Sequence, residues 1–322
     1  MSRAVIYERF GGPEVLELRD VPEPHAGPGE VRVRVAAAGL NPMDWVFASQ
    51  PEAAARFGIS VPSGFGYDFA GVVDEVGEGG EIGEGGEIGD SVTGFAVGDR
   101  VFGGALGAAA DFLVIKTPTA PSAALFHTPD GISDEVASTL PVAGLTAAAA
   151  LAAIDLRSGD TVLIGGAAGG VGVFAVQLAK LAGATVVGTA SPETFEFLRK
   201  FAVEPITYGP GLADRVRALT GDGGGVTAAT DLFGTETAET ALALGIAPER
   251  ISTIAAGPNP PGGVRATGGL DAGPDAMRQI TDAILAGEIT VPIAAAFPIE
   301  QIREAVTLQS GRHVHGKVVV TP

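Results

Sequence analysis

The chain of 322 residues has no cysteine. Disulfides, thiol redox chemistry and every cysteine-ligated zinc site are thereby excluded. Basic side chains are scarce as well: 20 Lys and Arg face 38 Asp and Glu, for a formal net charge of −18. Such a field repels nucleic acid and anionic lipid, so neither is an expected partner, although a local basic pocket for an anionic ligand stays open. Long hydrophobic runs are also missing. The longest, residues 145–154, ends at Asp155 and falls far short of the roughly 20 residues that a membrane span requires. The first residues, MSRAVIYERF, carry charges at Arg3, Glu8 and Arg9 and no apolar core of the signal-peptide kind. The expectation is a cytoplasmic protein without membrane association.

Apolar residues make up 46% of the chain, ample for packed cores, and the length suits about two domains. The first third alternates short strand-like runs with Gly and Pro. Residues 31–35 read VRVRV, the period-two pattern of a half-buried strand. Residues 71–76 and 100–102 read as further strands, and turn clusters at Pro22-Glu23-Pro24 and Gly27-Pro28-Gly29 separate such pieces. This texture predicts a small β-rich barrel or sandwich. From about Asp130 the texture changes. Strands are expected at 161–164, 185–188, 206–208, 226–233 and 251–255, with helices at 171–181, 192–201, 212–219 and 237–244. Pro192 suits a first helical position. Such alternation predicts a parallel sheet covered on both faces. The tail, with strands at 293–298 and 317–321 around a helix at 300–309, is expected to rejoin the first domain. The α/β domain is then an insertion in the β-rich one.

One segment stands apart. Residues 78–83 read EGGEIG, and residues 84–89 repeat it without change. Two copies are too few for a solenoid. A solvated, flexible duplicated loop is the expectation, because glycine-rich acidic segments bury too little to offset the entropy of ordering. The rival is a calcium site gathered from Glu78, Glu81, Glu84, Glu87 and Asp90.

The strongest motif is Gly165-Gly166-Ala167-Ala168-Gly169-Gly170-Val171-Gly172, directly after a predicted strand and opening a predicted helix. Small residues let the backbone approach a pyrophosphate, and the helix start presents free N–H groups to the anion. Gly172 would let the helix pack closely on the sheet. A tight strand–helix turn without a ligand is the plainer alternative. A site for NAD places an acidic residue at the end of the second strand to hold the ribose 2′-hydroxyl. Here that end reads Gly188-Thr189-Ala190-Ser191, with no carboxylate, and Ser191 can donate to a 2′-phosphate. The expected cofactor is therefore NADPH.

These motifs have a family look. Ala37-Ala38-Gly39-Leu40-Asn41-Pro42-Met43-Asp44, Gly66-Tyr67-Asp68-Phe69-Ala70-Gly71-Val72-Val73, Val97-Gly98-Asp99-Arg100-Val101-Phe102, the GGAAGGVG turn and Gly316-Lys317-Val318-Val319-Val320 follow one another in order across nearly the whole chain. Together they resemble the zinc-free quinone oxidoreductases of the medium-chain dehydrogenase/reductase superfamily. The resemblance implies a GroES-like β-rich catalytic domain, residues 1–124 completed by 291–322, and a Rossmann domain with a doubly wound parallel sheet, residues 125–290. It implies NADPH, an active site in the cleft between the domains, and a homodimer or homotetramer. Zinc-dependent relatives carry a cysteine where this chain has Asn41 and Gly-His-Glu where it has Gly66-Tyr67-Asp68, so no metal site is expected. His25, His127, His313 and His315 lie outside the ligand positions; surface or packing roles are expected of His313 and His315.

The resemblance also carries cofactor contacts onto matching positions. Thr146 resembles the threonine near the nicotinamide. Ala168, Gly169, Gly170 and Val171 match the pyrophosphate turn, and Thr189 and Ser191 the second-strand end. Tyr208 matches a wall of the 2′-phosphate pocket. Phe233 and Gly234 follow the fourth strand, and Lys317 matches a lysine near the cleft. Asn41 is expected beside the cofactor too. Thr194 stands where many relatives have a phosphate-binding lysine, and residues 80–91 look like an insertion.

Without a metal, the negative charge that follows hydride transfer must be met by hydrogen-bond donors. Asn41 offers an amide and Tyr67 a phenol, while Asp44 would orient neighbours or water. The plainer alternatives are that Asn41 before Pro42 organises a turn and that Tyr67 is a packed aromatic. Quinones and enones spread the new charge and are the expected substrates. A zinc-independent ketone reductase or alcohol dehydrogenase, and a non-catalytic NADPH-binding protein, are the alternatives.

Overall fold

The structure, a computed structural model, describes residues 1–77, 94–117, 124–221, 225–257, 259–311 and 314–322. The duplicated hexapeptide, its calcium alternative, and His313 lie outside the described residues. The chain forms two units: Met1–Val142 with Ile293–His313 and Lys317–Pro322, and Ala143–Pro292 with Val314–Gly316.

The first unit contains β1 (Ser2–Tyr7), β2 (Glu17–Val21), β3 (Glu30–Leu40), β4 (Ser63–Gly64), β5 (Asp68–Val76), β6 (Arg100–Gly104), β7 (Phe112–Lys116) and β8 (Ala124–His127). The second contributes β9 (Thr161–Gly165), β10 (Thr185–Ala190), β11 (Glu204–Thr207), β12 (Ala228–Asp231), β13 (Ile251–Thr253) and β14 (Arg265–Ala266). Then β15 (Ile293–Pro298) and β16 (Lys317–Thr321) return to the first unit.

The VRVRV alternation forms half of β3, which runs on to Leu40. Val31, Val33 and Val35 point into a core with Phe69, Val73, Val101, Leu113 and Ile115. Arg32 points the other way and pairs with Asp74 at 2.9 Å. The seven-stranded sheet runs β15-β16-β3-β5-β6-β8 with β7 joined to β3 off this path, and a three-stranded sheet runs β2-β1-β4. The length of β3 lets one edge serve two partners. Its first half, Glu30 to Arg34, pairs with β7, and its last residues, Ala38 to Leu40, pair with β16. This register puts Gly39 opposite Asp68 on one side and Leu40 opposite Val318 on the other. The ends of β3, β5 and β16 therefore meet at one rim.

The second unit is a six-stranded sheet, β11-β10-β9-β12-β13-β14, with every pairing parallel. Numbered within the unit, the order is 3-2-1-4-5-6, which reverses between β9 and β12. In open sheets of this kind ligands sit at the carboxyl ends of the strands beside such a reversal.

Most expected elements of this unit form, with trimmed ends. The expected helix at 192–201 begins as a 3-10 turn, Pro192–Thr194, and continues as Phe195–Arg199. Tyr208 falls just beyond β11. A long helix that the sequence pattern does not announce, Leu140–Ala153, holds the change of unit at Val142. Its sequence, LPVAGLTAAAALAA, is apolar on every side, so no 3.6-residue stripe marks it. Among the described residues no helix is long and apolar enough to cross a membrane.

Candidate active site

In the second unit the glycine motif forms the link from β9 to helix Gly172–Leu181. The turn is braced from β10: the Gly166 N–H donates to Thr189 Oγ1 at 3.1 Å, and the Ala167 N–H donates to the Thr189 carbonyl at 3.2 Å. Thr189 is buried and its hydroxyl serves the turn, so it supports the cradle rather than facing out of it. Gly172 fits only because it has no side chain. A Cβ there would lie 2.3 Å from the Gly166 carbonyl oxygen and 2.4 Å from that of Ala167. Gly166, Gly169, Gly170 and Val171 stay partly exposed, so a pyrophosphate can approach their backbone, and these residues fit a dinucleotide.

The residues that follow β10, β11 and β12 stand at the same, carboxyl edge of the parallel sheet as this turn. Tyr208 after β11 is 54% exposed and Phe233 after β12 is 57% exposed. Each is held by polar groups that sequence reasoning did not single out. The Arg215 guanidinium donates to the carbonyls of Thr207, Tyr208, Gly209 and Pro210. The buried Asp231 carboxylate accepts the backbone N–H groups of Phe233, Gly234, Thr237 and Ala238. Ser191 Oγ lies 2.9 Å from Thr194 Oγ1. Thr146 is buried in the same unit, and Gly269 passes close to its hydroxyl.

In the first unit the rim where β3, β5 and β16 meet collects Asn41, Asp44, Asp68 and Lys317, all buried. Lys317 Nζ donates to Asn41 Oδ1 at 2.6 Å and to the Leu40 carbonyl at 3.1 Å. Asn41 Nδ2 donates to Asp68 Oδ2 at 2.8 Å and approaches the Gly39 carbonyl at 3.4 Å. Asp68 also accepts the Val142 N–H at 3.1 Å. The Asn41 amide is thus a relay between a buried cation and a buried anion, and the two partners dictate which way it faces. Asn41 is also the N-cap of helix Pro42–Ser49, where its backbone N–H donates to Asp44 Oδ2 at 2.7 Å. The turn-forming role and the polar role coincide in one residue.

Burial dominates the electrostatics. It pushes Asp44 up to about 8; the Asn41 N–H and Lys317 oppose the rise, and the Asp68 charge adds to it. Burial pushes Asp68 up to about 7 against the pull of Lys317 and the hydrogen bonds from Asn41 and Val142. The Lys317 ammonium is held below its ordinary range by burial, with both carboxylates opposing. Tyr67 is raised to about 12, first by burial and then by Asp68, so its phenol stays protonated and can donate. Its ring lies over Gly104, where a Cβ would come within 2.2 Å of it.

The structure brings two of the expected site residues into one network: the Lys317 ammonium is buried on Asn41 and Leu40, and Asp68 takes one of the two Asn41 amide hydrogens. Asp68, quoted in the motif but given no role, proves central. Its sequence signal was the position it shares with the glutamate of the zinc relatives' Gly-His-Glu. Among the described residues no group of three His, Asp or Glu side chains is placed to hold a metal ion.

Comparisons with known proteins bear on both units. The family model described as the alcohol dehydrogenase GroES-like domain matches residues 27–117, and the one described as zinc-binding dehydrogenase matches residues 170–281. A quinone oxidoreductase from Pseudomonas aeruginosa is 40% identical over 248 residues, 75% of this chain and 70% of that protein. Matches to the mouse and human quinone oxidoreductases span 54% of their length. The solved quinone oxidoreductase from Coxiella burnetii superposes with a TM-score of 0.82 at 28% identity, covering 100% of this chain and 99% of its own. A mycobacterial protein solved with NADPH gives 0.81 at 29% identity, with both chains covered completely.

Proposed function

The chain belongs to the quinone oxidoreductase branch of the medium-chain dehydrogenase/reductase superfamily, and on that premise we propose that it is an NADPH-dependent reductase of quinones or enones that works without zinc. The observation that carries the reading is the buried chain Lys317–Asn41–Asp68, in which an ammonium and an amide stand at the position of a zinc ligand in metal-dependent relatives. A fixed cation there is at odds with a second, metallic one, and an amide is a poor zinc ligand beside thiolate or imidazole.

NADPH, when bound, supplies a hydride; with one proton this converts a quinone to its hydroquinone and leaves NADP+. The protein's share is to hold the cofactor and to meet the negative charge that develops on the substrate oxygen. The 165–172 turn presents backbone N–H groups to the pyrophosphate. Tyr67 offers a phenol that stays protonated at neutral pH. The second Asn41 amide hydrogen makes only a 3.4 Å approach to the Gly39 carbonyl, so it keeps capacity for a stronger acceptor brought to it. Asp44 holds the Asn41 backbone in place. Ser191, Tyr208 and the acid-free end of β10 suit a 2′-phosphate. Thr146, Phe233 and Gly234 belong to the nicotinamide side of the same reading, and assembly as a homodimer or homotetramer in the cytoplasm completes it.

A substrate panel tests the proposal, with NADPH and NADH compared on quinones, enones and simple ketones. Quinone or enone turnover that prefers NADPH is expected. Turnover of ketones alone would instead favour a zinc-independent ketone reductase, and cofactor binding with no turnover a non-catalytic NADPH-binding protein.

A further inference from the structure

The end of β10 carries a polar chain that continues past Ser191. Ser191 Oγ meets Thr194 Oγ1, and Thr194 Oγ1 lies 3.0 Å from His315 Nε2. Ser191 and Thr194 are neighbours in sequence, but His315 arrives from 121 residues downstream. Backbone geometry delivers it. The Gly316 N–H donates to the Ala168 carbonyl at 3.1 Å, which fastens the segment to the nucleotide turn. Gly316 has φ +101°, and a Cβ would lie 2.3 Å from the Pro292 carbonyl oxygen, so the bend requires glycine. The imidazole also packs on Phe197, with ring centroids 5.5 Å apart. Backbone, hydroxyl and ring together fix where His315 stands.

We propose that His315, linked through Thr194 to Ser191, is the residue that makes this chain distinguish NADPH from NADH. The inference rests on the NADPH reading above. It supplies what that reading lacks, a group able to carry positive charge at the end of β10, where the sequence has neither lysine nor arginine between 185 and 198. Two basic side chains of the described residues nearby have other partners. Arg199 pairs with Glu196 at 2.5 Å, and Arg215 is spent on four backbone carbonyls. Hydroxyls at Ser191 and Thr194 can donate to a phosphate but cannot neutralise it. An imidazole beside them adds a ring N–H donor and is the one group of the three that can carry positive charge. Glu193 and Glu196 on the same segment repel a phosphate, so a positive partner there matters the more.

The test is ligand binding, not turnover. NADPH, NADH, adenosine 2′,5′-bisphosphate and AMP are titrated against the wild type, His315→Ala and the volume-keeping His315→Gln. The wild type is expected to prefer each 2′-phosphorylated ligand. His315→Ala should weaken NADPH and the bisphosphate by about tenfold or more, the scale of one charge-assisted hydrogen bond, and change NADH and AMP less than about twofold. His315→Gln, which can donate but not carry charge, should fall between. Equal loss of all four ligands would mean a structural role, and unchanged preference would mean no role; either overturns the inference while the NADPH reading stands. A wild type that binds AMP as well as the bisphosphate would overturn both.

Discussion

The nucleotide turn of the second unit is built from backbone, whereas the polar rim of the first is built from side chains. The turn is contiguous, residues 165–172, and its requirement is steric: carbonyl oxygens stand where a Cβ at Gly172 would go. The rim draws on residues 41, 44, 68 and 317, brought together by strand register, and its requirement is electrostatic. Crowding should therefore damage the first and charge imbalance the second. The turn should be indifferent to pH, while the rim should not.

The largest effect is expected from Gly172→Val. Its branched side chain would collide with two backbone carbonyls that cannot yield. We expect NADPH affinity to fall by two orders of magnitude or more, and stability by about 3 kcal/mol or more. Titration and melting of the variant check this, and near-normal binding would show that the turn is not close-packed as described.

Lys317→Met tests the other half of the comparison. It leaves two buried carboxylates without their cation and Asn41 Oδ1 without its donor. A loss of about 3–5 kcal/mol is expected, as for other buried pairs broken on one side. Adding Asp68→Asn should restore part of it, because the uncompensated charge is then removed. A double-mutant cycle with no coupling would dissolve the network.

The pH dependence sharpens the contrast. A carboxyl whose folded value is raised binds its proton more tightly when folded. Its contribution is fully present below the unfolded value near 4 and is lost as pH rises through the folded value. For Asp68 and Asp44 that loss begins near 4 and is complete only above about 7 and about 8. Lys317, held low, contributes above its ordinary range and loses that contribution as pH falls through its folded value. Between pH 5 and 8.5 the carboxyls should dominate, so the melting temperature should decline across that window. Asp44→Asn, which keeps an acceptor for the Asn41 N–H, should flatten the decline. A melting temperature that climbs from pH 5 to 8.5 would contradict the assignment.

The smallest effect lies at the edge of the cradle. Ser191→Asp should shift preference toward NADH by about tenfold, since a carboxylate repels a 2′-phosphate and suits a 2′-hydroxyl. Fold and melting should barely change. Paired titrations with the two cofactors measure the shift.

The same contrast explains what could be read from the sequence. The turn was legible because glycine spacing, strand and helix lie in one contiguous stretch, and the parallel order followed from alternating texture. The rim was half legible. Asn41, Asp44 and Lys317 stood out by family likeness, but nothing local says that Lys317 faces Asn41 or that Asp68 takes its amide hydrogen. That depends on β3 pairing with β5 and β16 at once. The helix Leu140–Ala153 escaped because uniform apolarity hides its period. His315 escaped because its position depends on Gly316 binding the Ala168 carbonyl, a contact between residues 148 apart in sequence. The contact of the 314–316 segment with the end of β10 has no local signature.

The claim that a buried ammonium–amide chain stands where relatives use a metal is tested most directly by quinone reduction with NADPH after exhaustive chelation. The account predicts an unchanged rate and no response to added zinc. A rate abolished by the chelator and restored by zinc would contradict it.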